Sequence, residues 1–125
     1  GIEDEVARSL KRYTGPIGVM SFNPSYVKVF GSKLPHIPRG LVTEAFTDSD
    51  GKNVIKKKPL IFRCLKELEE IAASFISHEH SDLDSDFILA MPESTKIFSW
   101  TIRNKRELNK ALKKSDNITF EGFIP

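Results

Sequence analysis

Stretches of helical period alternate with short apolar runs along the whole of this chain, and that alternation admits few folds. Ile2, Val6, Leu10 and Tyr13 recur at helical spacing, and Thr14-Gly15-Pro16 ends the pattern. Residues 17–22 form an apolar run of strand length. Asn23 followed by Pro24 reads as an N-cap with proline in the first turn, and Tyr26, Val27, Phe30 and Leu34 then share a face as far as Pro35. Residues 39–46 predict a second strand, closed by a turn cluster at 47–51. Pro59 opens the longest helical pattern, with Ile61, Leu65, Leu68, Ala72 and Phe75 on its apolar face. Polar residues 77–85 interrupt it, and residues 87–91 and 96–102 predict the third and fourth strands. Asn104 with Glu107 three positions on resembles a capping box for a helix carrying Leu108, Ala111 and Leu112, and residues 118–123 predict the last strand. Strands separated by helices imply a parallel α/β sheet, and no internal repeat competes with that expectation.

One connection breaks the pattern. Only residues 91–95 lie between the third and fourth predicted strands, whereas a crossover between parallel neighbours takes about a dozen residues or more. Either a stretch is missing between these strands or one crossover helix is lost; if the chain is continuous, the sequence predicts a tight reversal with antiparallel pairing of residues 87–90 and 97–100, or a sharp exit from the sheet.

Composition narrows the functional classes. With 39% hydrophobic and 29% charged residues the chain can build a core, and a net charge of +2 does not point to a nucleic-acid partner. Lys56-Lys57-Lys58 is a dense basic run beside a predicted helix start and reads as solvated surface. No apolar run approaches the roughly 18 residues of a membrane span, and no signal peptide is visible. The compartment stays open, with the cytoplasm favoured. The single cysteine, Cys64, excludes an internal disulfide and falls in a helical pattern, as a buried inert thiol would.

Five segments in order carry a family resemblance. They are Ile17-Gly-Val-Met-Ser-Phe-Asn-Pro24, Pro38-Arg-Gly-Leu-Val42, Asp86-Phe-Ile88, Ser99-Trp-Thr-Ile-Arg103 and Asp116-Asn-Ile-Thr-Phe-Glu-Gly-Phe123. Together they resemble the C-terminal half of the glycerophosphodiester phosphodiesterase family, across essentially the whole chain. The resemblance implies an α/β fold, the C-terminal half of a phosphodiesterase-type (β/α)8 TIM barrel of about five strands with one crossover helix missing. A complete barrel takes about 250 residues, and this chain has 125, so residues 1–125 are expected to be a partial domain.

The family activity implied is metal-dependent hydrolysis of glycerophosphodiesters to glycerol 3-phosphate and an alcohol. In the resembled family a His-Arg pair, a Glu-x-Asp pair, a further histidine and a Glu-Ile-Lys segment supply the catalytic and metal-binding groups. The His-Arg and Glu-Ile-Lys strings are absent here, and the carboxylate pairs Glu3/Glu5 and Asp82/Asp84 match no expected strand end. The complete domain would use a divalent ion, magnesium or calcium. This chain alone is expected to hold none, to carry no catalytic residue and to be inactive.

What the resemblance leaves is a substrate-facing rim. Phe22 and Trp100 carry over from aromatic positions that line the glycerol side, with Ser21 and Glu121 beside them at strand ends. Arg39 begins a strand and is expected on the opposite rim. The competing reading is a non-catalytic remnant serving as a binding or assembly module. Open edges and an exposed inner face predict a homo-oligomer, or pairing with an N-terminal half, with Val19, Met20, Leu41 and Ile118 buried.

Two local patterns read as surface loops. His78 and His80 with Asp82, Asp84 and Asp86 have ligand-type spacing, but no pattern fixes a full metal set, so an exposed loop is expected. Asp48-Ser-Asp-Gly51 departs from a calcium loop, with Asn53 at the glycine position and Pro59 at the closing glutamate.

Overall fold

The computed structural model describes residues 1–46 and 58–125, with 58–60 described by their backbone alone. The turn expected at 47–51, the rejected calcium loop and most of the basic run at 56–58 lie outside the described residues. In chain order the elements are α1 (Ile2–Leu10), β1 (Val19–Ser21), α2 (Pro24–Lys33), β2 (Arg39–Thr43), α3 (Lys58–Glu70), β3 (Phe75–Glu79), a 3-10 turn (His80–Asp82), α4 (Asp86–Leu89), β4 (Lys96–Ile102), α5 (Lys105–Ala111) and β5 (Asn117–Phe120).

The five strands form one sheet in the order β1-β2-β3-β4-β5, every pair parallel. Strictly sequential order without a reversal is the order of a barrel wall, because an open doubly wound sheet turns back at a switch point. The register places Ser21, Leu41, Ile76 and Ile97 in one cross-sheet row. Leu41 and Ile76 pack with Val27 of α2, Leu68 and Ile71 of α3, and Phe87 and Ile88 of α4. Val19, on the same face, meets Ala7, Phe30 and Leu34 of the first helical pair. With Ala111 of α5 packed on Ile102 and toward Ile97, the described helices cover one face of the sheet. Alternation puts Met20, Gly40, Val42, Phe75, Ser77 and Phe98 on the other face. Phe75 stacks on Phe98 there, with ring centroids 4.6 Å apart. The Phe75 ring also covers Gly40, where a Cβ would lie 2.1 Å from it, so only glycine fits.

Several boundaries follow the local chemistry of the sequence. Asn23 caps α2 by accepting the Ser25 N–H at 2.9 Å, with Pro24 next. Asn104 accepts the Glu107 N–H at 3.0 Å, while Glu107 accepts the Arg103 N–H at 2.8 Å, so the box-like start of α5 forms. Asp116 ends the last connection by accepting the Ile97 N–H at 2.9 Å and pairing with Lys96 at 3.0 Å. Those hydrogen bonds, the backbone one first, hold its carboxyl below the usual range.

The third strand is not where the sequence suggested. Residues 87–91 are not a strand: α4 occupies Asp86–Leu89, with Ser85 as N-cap and Phe87 and Ile88 buried. The strand is Phe75–Glu79, inside the stretch assigned to the end of a long helix and a polar loop. The helix stops because Ala72 adopts φ 49°, with Ala73 N–H donating to Leu68 O at 3.1 Å and Ala72 N–H to Glu69 O at 2.9 Å. That is a Schellman ending built on alanine where glycine is usual. Residues 80–95 then separate β3 from β4, ample for a crossover between parallel neighbours. The crossover between β3 and β4 is therefore present, and the expected antiparallel pairing with residues 97–100 does not occur, since β4 pairs in parallel with β3 and β5.

Candidate functional site

The C-terminal ends of the strands gather the sequence-predicted aromatics. Phe22 follows β1 and Trp100 lies in β4, and their rings meet edge to face at 5.6 Å. The Trp100 indole N–H is shared between Ser77 O at 2.9 Å and Thr43 O at 3.2 Å. It is thus pinned to the end of β2 and the middle of β3. Phe22 is 61% exposed and covers one side of that indole. An aromatic wall with one fixed polar edge can stack against or exclude water from the apolar face of a small polyol.

The other two predicted rim residues are placed differently. Ser21 shares the helix-side row with Leu41, and its hydroxyl accepts the Asn23 N–H at 3.0 Å, so it serves the turn into α2. Glu121 lies just past β5 and takes Arg103 Nε at 2.6 Å on its carboxylate. Both members of that pair are well exposed. Arg39 begins β2, on the opposite rim, beside Gly31 of α2.

Glu79 is the rim residue that the sequence reading missed. It ends β3 and is the register partner of Trp100. Its carboxylate accepts the Ser81 hydroxyl at 2.9 Å and the Ala45 N–H at 3.5 Å. A carboxylate offers about four acceptor sites, so two such contacts orient Glu79 and leave capacity for a ligand hydroxyl. Residues 75–79, Phe-Ile-Ser-His-Glu, show no period-2 alternation, and the apparent continuation of the helix through Phe75 hid the strand.

His78 is likewise no loop residue. It is fully buried on the helix side of the sheet, against Phe87. Its Nδ1 lies 2.8 Å from Thr43 Oγ1 and its Nε2 2.9 Å from Asp82 Oδ2. A carboxylate only accepts, so Nε2 carries the proton and Nδ1 accepts from Thr43. Burial pushes the imidazole below its ordinary value, against the opposing pull of Asp82. His80 does not join it, lying instead 4.0 Å from Glu107.

Beside Phe22 a cleft of about 410 Å³ opens between the ends of β1 and β2 and α3, lined by Pro24, Thr43, Cys64 and Leu68 among others. Burial, followed by the nearby Glu67, pushes the Cys64 thiol up, away from the thiolate needed for nucleophilic work.

No protein-family profile matches the sequence, and no curated protein matches it. Solved structures do match in shape. A provisionally assigned glycerophosphoryl diester phosphodiesterase of Silicibacter pomeroyi superposes with a TM-score of 0.70 at 10% identity, over 95% of this chain and 39% of its own. An Oleispira antarctica phosphodiesterase, solved with its product sn-glycerol-3-phosphate, gives 0.65 at 17% identity, over 94% of this chain and 44% of its own. A glycerophosphodiester phosphodiesterase of Parabacteroides distasonis gives 0.55 at 17% identity, over 95% and 47%. This chain has the fold of a partial phosphodiesterase barrel. It spans less than half the length of each of these proteins, and at such identities the likeness establishes the fold alone.

Among the described residues no group of three or more His, Cys, Asp or Glu side chains is arranged to hold a metal ion. At the aromatic rim the donors near one another are Glu79, already oriented by two hydrogen bonds, and the backbone carbonyls that hold Trp100. That donor set does not fit the divalent ion implied by the resemblance.

Proposed function

We propose that this chain supplies the glycerol-facing wall of a glycerophosphodiester phosphodiesterase barrel and is catalytically silent by itself. The edge-to-face pair of Phe22 and Trp100 at the C-terminal rim carries this reading. The two rings take the carbon face of the glycerol moiety, and the Glu79 carboxylate beside them accepts from a glycerol hydroxyl. Glu121 contributes only when its carboxylate shares itself between Arg103 and ligand, and Ser21 acts through the turn that presents Phe22. Hydrolysis would further require carboxylates that bring a divalent magnesium or calcium ion against the phosphate, together with a proton donor for the leaving alkoxide. In this reading those groups come from elsewhere in a complete barrel.

Two measurements on the purified chain test this. Glycerol 3-phosphate should quench or shift the Trp100 emission saturably, and Phe22→Ala should weaken that response. Glycerophosphocholine with added magnesium or calcium should show no turnover. Turnover lost on mutating Glu79 or Trp100 would place the chemistry in this chain and overturn the silent half of the proposal. A Trp100 signal indifferent to glycerol 3-phosphate would remove the binding half.

A further inference from the structure

The stretch 105–114 holds Lys105, Arg106, Lys110, Lys113 and Lys114 against a single acid, Glu107, in a chain whose net charge is only +2. Positive charge is thus concentrated in one place, and helix geometry organises it. Arg106 and Lys110 are four positions apart on one side of α5, Lys113 and Lys114 follow in the turn beyond Ala111, and all four line one groove. Ala111 anchors α5, buried with Leu83 and Ile102.

The cationic side does not face open solvent alone. Across from it runs the chain that leaves β3, with His80, Ser81 and Asp84, and between the two walls lies a groove of about 740 Å³. Its acids are already engaged. Asp84 pairs with Lys114, and Glu107 accepts from the Arg103 N–H and the Asn104 amide. Among the described residues, Arg106, Lys110 and Lys113 have no acidic partner within ion-pair distance.

Helix stability does not account for this arrangement. Cations in the last turn complement the helix dipole, but Lys105 and Arg106 stand in the first turn, where it opposes them. Arg106 with Lys110 is a like-charge pair four residues apart, which also disfavours the helix.

We propose that the groove between α5 and the turn after β3 binds a phosphate-bearing ligand with at least two negative charges. Arg106 offers a planar fork that can take two phosphate oxygens at once, and Lys110 and Lys113 add point charges along the same wall. The groove meets the Phe22–Trp100 rim only at Ser81, whose hydroxyl donates to Glu79, and Arg106, Lys110 and Lys113 take no part in the function proposed for that rim. A soluble oligophosphate and a phospholipid headgroup present the same chemistry to these side chains.

The test uses tripolyphosphate in calorimetric titration, and vesicles of phosphatidylcholine with or without phosphatidic acid in cosedimentation. The groove variant is Lys110→Glu with Lys113→Glu. The charge-matched control is Lys11→Glu with Lys28→Glu, at exposed positions on other elements. Circular dichroism and urea midpoints check that both variants remain folded. Wild type and control should bind tripolyphosphate saturably, more weakly as salt is added, and the groove variant should lose about tenfold or more in affinity. Retention on phosphatidic acid vesicles that the groove variant loses would assign the lipid source. Tripolyphosphate binding without vesicle retention would assign a soluble ligand. Equal losses in control and groove variant, or no saturable binding of either probe, would overturn the proposal.

Discussion

The Thr43 hydroxyl donates to Nδ1 of His78 at 2.8 Å, and the two residues are also register partners in neighbouring strands. His78 in turn donates from Nε2 to Asp82 at 2.9 Å, so a three-member chain runs from β2 through β3 into the turn beyond. On the opposite face the carbonyl of the same Thr43 accepts the Trp100 indole. Thr43 therefore couples the buried His78 imidazole under the helices to the aromatic rim of the inner face.

The first prediction is a pH dependence of stability. His78 has a folded-state pKa below its ordinary value of 6.5, because burial penalises the charged ring. Between the two values the unfolded chain binds the extra proton, so stability rises with pH across that window. It is complete above about pH 6.5 and lost progressively below it, with a slope of at most about 1.4 kcal/mol per pH unit. The depressed carboxylates fall in a lower window: the Lys33 ammonium, first among several causes, holds Asp4 down to about 2. Urea midpoints from pH 7.5 down to 5 should show the loss in the wild type. His78→Gln should be less stable by about 1–3 kcal/mol at neutral pH and lack that slope. Identical slopes in both proteins would remove His78 as the cause.

The second prediction concerns the rim. Trp100 is the only tryptophan, so its emission reports one place. Phe22→Ala uncovers the indole and should shift emission to the red, increase quenching by acrylamide and cost about 0.5–1.5 kcal/mol. Emission and quenching unchanged from wild type would mean that the two rings do not meet in solution.

How much was legible in the sequence depended on where punctuation coincided with structure. Asn23-Pro24 and Asn104 with Glu107 are local signals, read by the backbone within a few residues, and both helix starts form as expected. The end of α3 is also local in its hydrogen bonds, but it is built on Ala72, a residue type that ordinarily continues a helix. With that stop invisible, Phe75 extended a helical stripe, and Ser77, His78 and Glu79 read as a polar loop. They are instead the middle and end of a strand covered on both faces, where hydrogen bonds to Thr43 and Asp82 satisfy the imidazole. The short apolar run at Phe87 and Ile88 was equally open to strand or helix, and tertiary burial decided it. Placing β3 wrongly hid Glu79, whereas Phe22, just past β1, and Trp100, within β4, belong to strands that the sequence located. The strand-start position of Arg39 was enough to keep it off the site.

The third prediction follows from that hidden stop. A non-glycine residue in the left-handed region is strained by its Cβ. Ala72→Gly relieves the strain at φ 49°, partly offset by the greater freedom of glycine in the unfolded chain, and should stabilise by about 0.5–1 kcal/mol. Ala73→Gly, one residue on and without a positive φ, should instead destabilise. Urea midpoints with unchanged m-values would separate the two, and equal effects at both positions would contradict a Schellman ending.

The last prediction concerns association. Among the described residues β1 and β5 each have a single strand neighbour, so two edges of the sheet offer unpaired backbone groups. The inner face adds apolar surface: Met20 is 45% exposed and Phe22 61%. Of the positions expected from sequence to be buried by a partner, Val19 and Leu41 already lie beneath the helices of this chain, and Ile118 packs toward Leu83 and Ile102. Met20 is therefore the one that faces outward from the inner wall. We expect the isolated chain to form a dimer or larger assembly at micromolar concentration, and Met20→Glu to weaken it by placing a charge where apolar contact is made. Sedimentation velocity over a concentration series, with circular dichroism to confirm that Met20→Glu remains folded, is the measurement. A wild-type chain that sediments as a monodisperse monomer throughout would show that the inner face and both edges tolerate water without a partner.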